Sequence, residues 1–213
     1  MIPCMIVPIL KGPDILQRML DTIDYPVKKL IIIDNGDALR ETSGWPVEHV
    51  QSTKVIKMPA NLGVAGSWNL GIKADPFAPW WLITNFDVEW PAGSLRMFAE
   101  QANGDDVLLA QSPQPYCAFA VGEDVVQRVG LFDEAFHPAY FEDNEYELRC
   151  AIEGVKVRRS TSPIVHHNSS TIGFFGEINN RTYASNAEYL NGKRSNPGPG
   201  GWSLERRRAN SWD

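Results

Sequence analysis

The sequence is poor in cysteine, with Cys4, Cys117 and Cys150 far apart in 213 residues. An odd number at such spacings supports neither a disulfide framework nor a metal-binding motif, and a reducing compartment, the cytoplasm, is expected. No apolar run approaches the roughly 18 residues of a membrane span. The opening Met1-Ile2-Pro3-Cys4-Met5 has no basic segment, so no secretory leader is expected there. Three signatures of common enzyme classes are also missing. Gly63, Gly66 and Gly71 do not fit GxGxxG, no GxxxxGK[ST] occurs, and GxSxG is absent. A dinucleotide-dependent oxidoreductase, a P-loop nucleoside triphosphatase and a serine hydrolase lose ground accordingly.

What is present is an ordinary globular composition, 43% hydrophobic and 22% charged. The net charge of −6 is uneven. Residues 1–192 carry 15 basic and 24 acidic side chains, a balance of −9, and residues 193–213 carry +3. Between Glu123 and Glu147 eight acids face one base, Arg128. So acidic a body is a poor sequence-independent binder of nucleic acid. The acids are either a solvated surface or part of a site for a divalent cation.

The hydrophobic pattern alternates strand and helix. Short apolar runs at Cys4–Leu10, Leu30–Ile33, Lys54–Met58, Trp80–Thr84, Val107–Ala110 and Cys117–Val121 read as strands, and unbroken ones suit a sheet buried on both faces. Helical periods follow Pro13, run from Val64 to Ala74, start with Pro91 in a first turn, and cover Glu123–Val129 and Glu142–Glu153. Late strands are expected at Val155–Val157 and Ile164–His166. This order predicts an α/β sandwich of three layers with a mostly parallel central sheet, whose ligands bind beyond the carboxyl ends of the strands. Asp34 and Asp87 lie at such ends, where an Asp is either a turn former or a site residue. Asn196–Gly201 reads as a turn-rich linker into a basic tail with Arg206, Arg207 and Arg208.

Several segments stand out together: Ile31-Ile-Ile-Asp34-Asn35-Gly36; Asn61-Leu-Gly63-Val-Ala-Gly66-Ser-Trp68-Asn69-Leu-Gly71-Ile72; Leu82-Ile-Thr-Asn85-Phe-Asp87-Val88; Val129-Gly130-Leu-Phe-Asp133-Glu134 leading to Tyr140-Phe141-Glu142-Asp143-Asn144-Glu145; and Val165-His166-His167. Their order and spacing resemble glycosyltransferase family 2, of the GT-A (Rossmann-like) fold, and within it the rhamnosyltransferase-like branch. The resemblance spans roughly residues 4–172. It implies a GT-A domain over residues 1–178, followed over 179–213 by a C-terminal helix and a basic, Pro/Gly-containing tail.

The resemblance also implies roles. The donor would be a nucleotide-diphosphate sugar (UDP-, dTDP- or GDP-linked), with Asp34 at its base and ribose and with Pro8, Asn35, Asn61, Gly63 and Asn69 around it. A carboxylate accepts hydrogen bonds from base N–H groups or ribose hydroxyls. Trp68 fits the core better than the site. Asp87 would bind Mn²⁺ or Mg²⁺ through hard oxygens, and His166, rather than its strand neighbour His167, would complete the metal's protein ligands. Asn85 stands where many relatives have Asp, so it is assigned to the donor ribose or sugar. Asp143 would be the general base, with Glu142 orienting it or meeting the acceptor. A helix N-terminus lowers the pKa of Asp143 and neighbouring acids raise it. Glu145 replaces the second Asp usual at its position, which leaves its role open. Asp133 and Glu134 either meet a sugar or cap a turn.

The function implied is inverting, metal-dependent transfer of a hexosyl or deoxyhexosyl group to an acceptor hydroxyl. The alternative is a non-catalytic nucleotide-sugar or carbohydrate binding module on a degenerate GT-A fold. A nucleotidyltransferase would want a basic, Gly-rich N-terminal loop, and Pro8–Pro13 has one Lys and one Gly. The acceptor is open: a glycan, a protein, a lipid-linked sugar or a modified nucleobase. The chain is short for the family, which leaves part of the acceptor specificity to a homo-oligomer partner.

Overall fold

The computed structural model describes residues 1–39, 47–167 and 170–193, with backbone alone over 170–179. The basic tail and its linker lie outside the described residues. The elements are β1 (Ile2–Ile9), α1 (Pro13–Leu20), β2 (Val27–Asp34), β3 (Thr53–Lys57), α2 (Gly63–Ala74), β4 (Trp80–Thr84), β5 (Val88–Glu89), α3 (Ser94–Gln101), β6 (Val107–Gln111), β7 (Ala118–Gly122), α4 (Glu123–Val129), α5 (Glu142–Ile152), β8 (Val157–Pro163), β9 (Val165–His166) and α6 (Ser170–Lys193).

Seven strands form one sheet in the order β3-β2-β1-β4-β7-β6-β8. Strands β3, β2, β1 and β4 are parallel, β7 is antiparallel to both its neighbours, and β6 pairs in parallel with β8. The sheet is therefore mostly parallel, as its unbroken apolar runs predict. Successive residues of each run feed opposite faces. Leu30 and Ile32 join one core with Leu16, Met19, Leu95 and Phe98 of α1 and α3. Ile31 and Ile33 join the other with Trp68, Val125, Tyr146 and Cys150 of α2, α4 and α5. Burial of both faces leaves no position for polar alternation, and this makes the strands legible.

Two boundaries differ from expectation. Pro91 lies ahead of α3 rather than in its first turn: its carbonyl accepts the Ser94 N–H at 2.8 Å, and Gly93, in a left-handed conformation, starts the helix. Val155 and Lys156 precede β8 instead of forming it; the Val155 N–H bonds to Cys150 O at 2.8 Å, closing the end of α5 where a strand would need a neighbour. The late strand expected at Ile164–His166 is present as β9, but not in the main sheet: it pairs antiparallel with β5, which carries no sequence signal, with Val88 opposite His166.

Helix α6 crosses residue 178, where the sequence reading ends the domain. Its far end is anchored by buried charge. Lys193 reaches Asp133 and lies 3.5 Å from Glu145, and Tyr189 donates to Asp133 at 3.1 Å. All three cysteines are buried and free. No helix of the described residues is long and apolar enough to cross a membrane.

Candidate active site

A cavity of about 580 Å³ opens at the carboxyl ends of β1, β2 and β4, where the topology predicts a ligand site. Its volume falls in the range of small-molecule sites. Pro8, Asn35, Asn61 and Gly63 line one side, Asn85, Asp87 and His166 lie on its wall, and Glu142 and Asp143 line it from α5.

Asp87 follows β4, and His166 ends β9. The β5–β9 ribbon brings them together with Nε2 of His166 3.4 Å from Oδ1 of Asp87. The Asp87 carbonyl also accepts the His167 N–H at 3.1 Å. Burial works against a charged imidazole, but the Asp87 carboxylate and the Cys117 sulfur outweigh it and raise the His166 pKa to about 9. His167 turns the other way, as strand alternation predicts, and pairs with Glu89 at 2.9 Å.

Glu142 and Asp143 open α5. Burial, then the charge of Asp143, pushes the Glu142 carboxyl well above the usual range, against hydrogen bonds from the backbone of Glu142 and Tyr140. Asp143 is also raised, by burial, while the N–H groups of Asn144 and of Asp143 itself favour its charged form. The neighbouring acids expected to raise Asp143 are not the cause; desolvation is. Next to them Glu147 and Arg159 line the cavity, together with the turn Pro113–Cys117 between β6 and β7. Neither Glu147 nor Arg159 carries a sequence signal: one is another acid on an acidic helix, the other an alternating residue of β8.

Several predicted site residues are placed differently. Asp34 is fully buried and does not line the cavity. Its carboxylate accepts the N–H groups of Gly36, Ala38 and Leu39 at 3.3, 2.9 and 3.0 Å, which is the turn-forming role. Asn35 lines the cavity with its amide already engaged, donating to Ser67 Oγ at 2.7 Å and accepting the Leu62 N–H at 3.1 Å. Asn61 accepts the Gly63 N–H at 2.8 Å and so shapes the entry to α2. Gly63 has φ +75°, and a Cβ there would lie 2.7 Å from Pro138 O. Asn69 is also away from the cavity. Its amide clamps the loop before α5, bonding Phe132 N, Phe132 O and Glu134 at 2.9 Å each. Trp68 is core as expected, 2% exposed between the rings of Phe119 and Phe132.

The open roles of the other acids have structural answers. Glu145 is fully buried in a bidentate pair with Arg149, whose remaining donors hold Val129 O and Leu131 O at 2.6 and 2.9 Å. Asp133 caps a turn through the Ala135 N–H at 2.8 Å and anchors α6. Both serve the scaffold beneath Glu142 and Asp143.

Among the described residues no group of three His, Cys, Asp or Glu side chains could hold a metal ion. Asp87 and His166 place a carboxylate oxygen and an imidazole nitrogen on one wall, two atoms that could serve as ligands. That set fits Mn²⁺ or Mg²⁺ provided that substrate oxygens and water complete the shell, the usual way these ions are held at phosphates.

No family model matches the sequence, and no curated protein matches it. Solved structures do match in shape. The mannosyltransferase PcManGT from Pyrobaculum calidifontis, in complex with GDP-Man and Mn²⁺, aligns over 97% of this chain and 67% of its own, with a TM-score of 0.65 and 14% identity. S. aureus TarS 1-349, in complex with UDP-GlcNAc, aligns over 99% of this chain and 71% of its own, with a TM-score of 0.56 and 13% identity. GalNAc-T7 with UDP, GalNAc and Mn²⁺ aligns over 78% of this chain and 43% of its own, with a TM-score of 0.60 and 12% identity. The fold is GT-A. This chain spans 59% of one solved TarS 1-349 chain and 38% of a longer TarS chain. The cavity lies at the strand ends, with Asp87 just after β4 and the acids of α5 lining it as well.

Proposed function

We propose that this protein is an inverting glycosyltransferase of the family 2 type, moving a sugar from a nucleotide-diphosphate sugar to an acceptor hydroxyl with the help of a divalent cation. The observation that carries this reading is the convergence of two unlike pairs on one cavity of a GT-A fold. Asp87 and His166 offer a carboxylate oxygen and an imidazole nitrogen side by side, and Glu142, buried, and Asp143, half-buried, are carboxyls with raised pKa values.

Each wall has its task. The loops after β1 and β2 receive the nucleotide, with Pro8, Asn35, Asn61 and Gly63 forming the surface. Asp34 acts through the loop whose amides it holds. Asp87 and His166 would hold the cation, which when bound offsets charge on the departing nucleoside diphosphate. Asp143 takes the acceptor's proton at a carboxylate oxygen. Desolvation makes it a stronger base once ionised, and the Asn144 N–H at 2.8 Å fixes its orientation. The acceptor then attacks the anomeric carbon from the side opposite the diphosphate, in one displacement that inverts the centre.

The test is hydrolysis and transfer with UDP-, GDP- and dTDP-sugars in Mn²⁺, with wild type and Asp87→Ala. Turnover of at least one donor that falls sharply in the variant is expected. A wild type that neither binds nor turns over any sugar nucleotide refutes the proposal.

A further inference from the structure

One side chain of the cavity has no task in that mechanism and the wrong charge for its surroundings. Glu142, Asp143 and Glu147 make the α5 wall acidic, yet Arg159 of β8 lines the same cavity, the one Lys or Arg among the described residues that does. Its guanidinium is nearly uncommitted. Nη1 makes a long contact of 3.5 Å to Ser112 O, and its other donors have no hydrogen-bond partner among the described residues. Burial, then the charge of Asp143, raise the Glu147 pKa; Arg159 opposes them through space, with no ion pair between the two. Its neighbour Arg158, by contrast, is held by Asp106 and by Gln101 O. Arg159 is exposed, so a ligand in the cavity can reach it.

The topology says which end of the cavity this is. Strand β8 is the edge of the sheet, four strands from β1. At about 4.8 Å per strand the two are about 19 Å apart, more than one arginine side chain spans. The guanidinium therefore stays clear of the loops after β1 and β2. Arg159 is in register with Leu109, which feeds the core beneath α5, so both belong to the α5 face of the sheet. Glu147 follows Asp143 by four residues on α5, which puts the two on one helix face, one turn apart. The adjoining turn offers an anion little: Pro113 and Pro115 have no N–H, and the Gln114 N–H is bonded to Ser112 Oγ at 3.2 Å.

We propose that Arg159 selects the substrate by charge, binding a single phosphate or carboxylate group carried by a carbohydrate acceptor. The planar fork of guanidinium donors matches either anion. The acids along the rest of this wall repel the same group, so the anion settles at Arg159 alone. Its position then fixes which hydroxyl of the acceptor meets Asp143, one helical turn away. A nucleic acid fits poorly, because it brings many phosphates to a wall with one cation, on a body whose first 192 residues carry −9. The inference rests on the glycosyl-transfer reading for the word acceptor; the anion site at Arg159 stands without it.

The experiment is a ligand-observed NMR titration of the full chain with methyl glucoside, methyl glucoside 6-phosphate and methyl glucuronide. Wild type is compared with Arg159→Gln and Arg159→Lys, the fold of each checked by its melting point. The titration is run in chelator, so that no cation bridges the phosphate, and again with UDP and Mn²⁺ to fill the donor side. In both conditions wild type should bind a charged glycoside about tenfold or more tighter than the neutral one, the size of a hydrogen bond to a charged group. Arg159→Gln should erase that preference, and Arg159→Lys should keep only part of it. The proposal is overturned by no glycoside binding in wild type, by equal binding of charged and neutral glycosides, by a preference that survives in Arg159→Gln, or by one that vanishes with UDP and Mn²⁺ present. A preference for UDP-glucuronate over UDP-glucose that Arg159→Gln removes puts the anion on the donor and overturns the acceptor assignment. An oligonucleotide that displaces the charged glycosides from wild type, and binds Arg159→Gln more weakly, overturns the carbohydrate. Donor binding is read separately by thermal shift. Its absence beside an intact Arg159-dependent preference removes the transferase reading and leaves the anion site standing.

Discussion

Oδ1 of Asp87 lies 3.4 Å from Nε2 of His166, although the two residues are far apart in sequence. The contact depends on four ribbon residues, with Val88 opposite His166 and Glu89 opposite Val165. Helix α3 and strands β6, β7 and β8 all lie between the two in the chain. The pair is thus a product of tertiary folding, and it has a pH signature.

With chelator present, the pair is predicted to stabilise the fold at acid pH. The folded His166 pKa of about 9 exceeds the ordinary 6.5, so its contribution is complete below about 6.5 and disappears as pH rises through about 9. The melting-point gap between wild type and Asp87→Asn should be wide at pH 6 and nearly closed at pH 10, measured by calorimetry.

For Asp143, the Asn variant should lose about 10²–10⁴-fold in transfer. Donor binding by thermal shift should remain. Because burial raises the Asp143 pKa, wild-type transfer should climb with pH beyond the range of an ordinary carboxylate. Unaltered turnover by Asp143→Asn would move the base elsewhere, and donor binding without wild-type turnover would favour a binding module.

Glu142→Gln should stabilise the protein at neutral pH. The folded pKa lies above the ordinary 4.5, so native Glu142 resists ionisation; the cost is absent below about 4.5 and grows as pH rises. Thermal melts should show the variant gaining a few degrees at pH 7 and little at pH 4. A variant that melts below wild type at pH 7 contradicts the burial argument.

Arg149→Leu should destabilise by about 3–5 kcal/mol, since it removes the bidentate partner of the fully buried Glu145, with Lys193 only at 3.5 Å, and the donor to two carbonyls. Urea titration measures it. Transfer by the folded fraction should fall as well, because Glu145 and Arg149 hold the helix that presents Asp143.

Gly63→Ala should cost about 1–2 kcal/mol from its left-handed conformation alone, with crowding against Pro138 O at 2.7 Å added to it. Donor affinity should drop with it, since Gly63 lines the cavity.

Much of the sheet was legible because Leu30–Ile33 and Trp80–Thr84 are buried on both faces and leave an unbroken apolar run. Asp87, His166, Glu142 and Asp143 were legible as a set by resemblance, and they do meet at one cavity. Asp34 and Asn69 show where that reading runs short. A carboxylate that caps a turn and one that greets a nucleotide sit at the same strand end, and only the direction of the loop amides separates them. Tyr140 lies in a segment the sequence singles out, but its ring partner Tyr183 comes from α6; Glu147 of α5 and Arg159 of β8 gave no signal, since they meet only across the fold and contacts of such separation leave no local pattern. Strand β5, two residues long, is too short for any periodicity, so its pairing with the expected late strand at His166 was not legible.

The turn between β6 and β7 has a further consequence. Both its feet are pinned: Leu109 pairs with Phe119, Thr84 pairs with Ala118, and Cys117 O holds the Asn85 N–H at 2.7 Å. Residues 112–114 can then change in length or composition without shifting the register of the sheet or disturbing Asp87, while Tyr116, packed on Phe119, and Cys117, in contact with His166, stay in place. The stretch that walls the cavity beside Glu147 and Arg159 is an exchangeable cassette, a place where substrate preference can drift while the chemistry stays fixed.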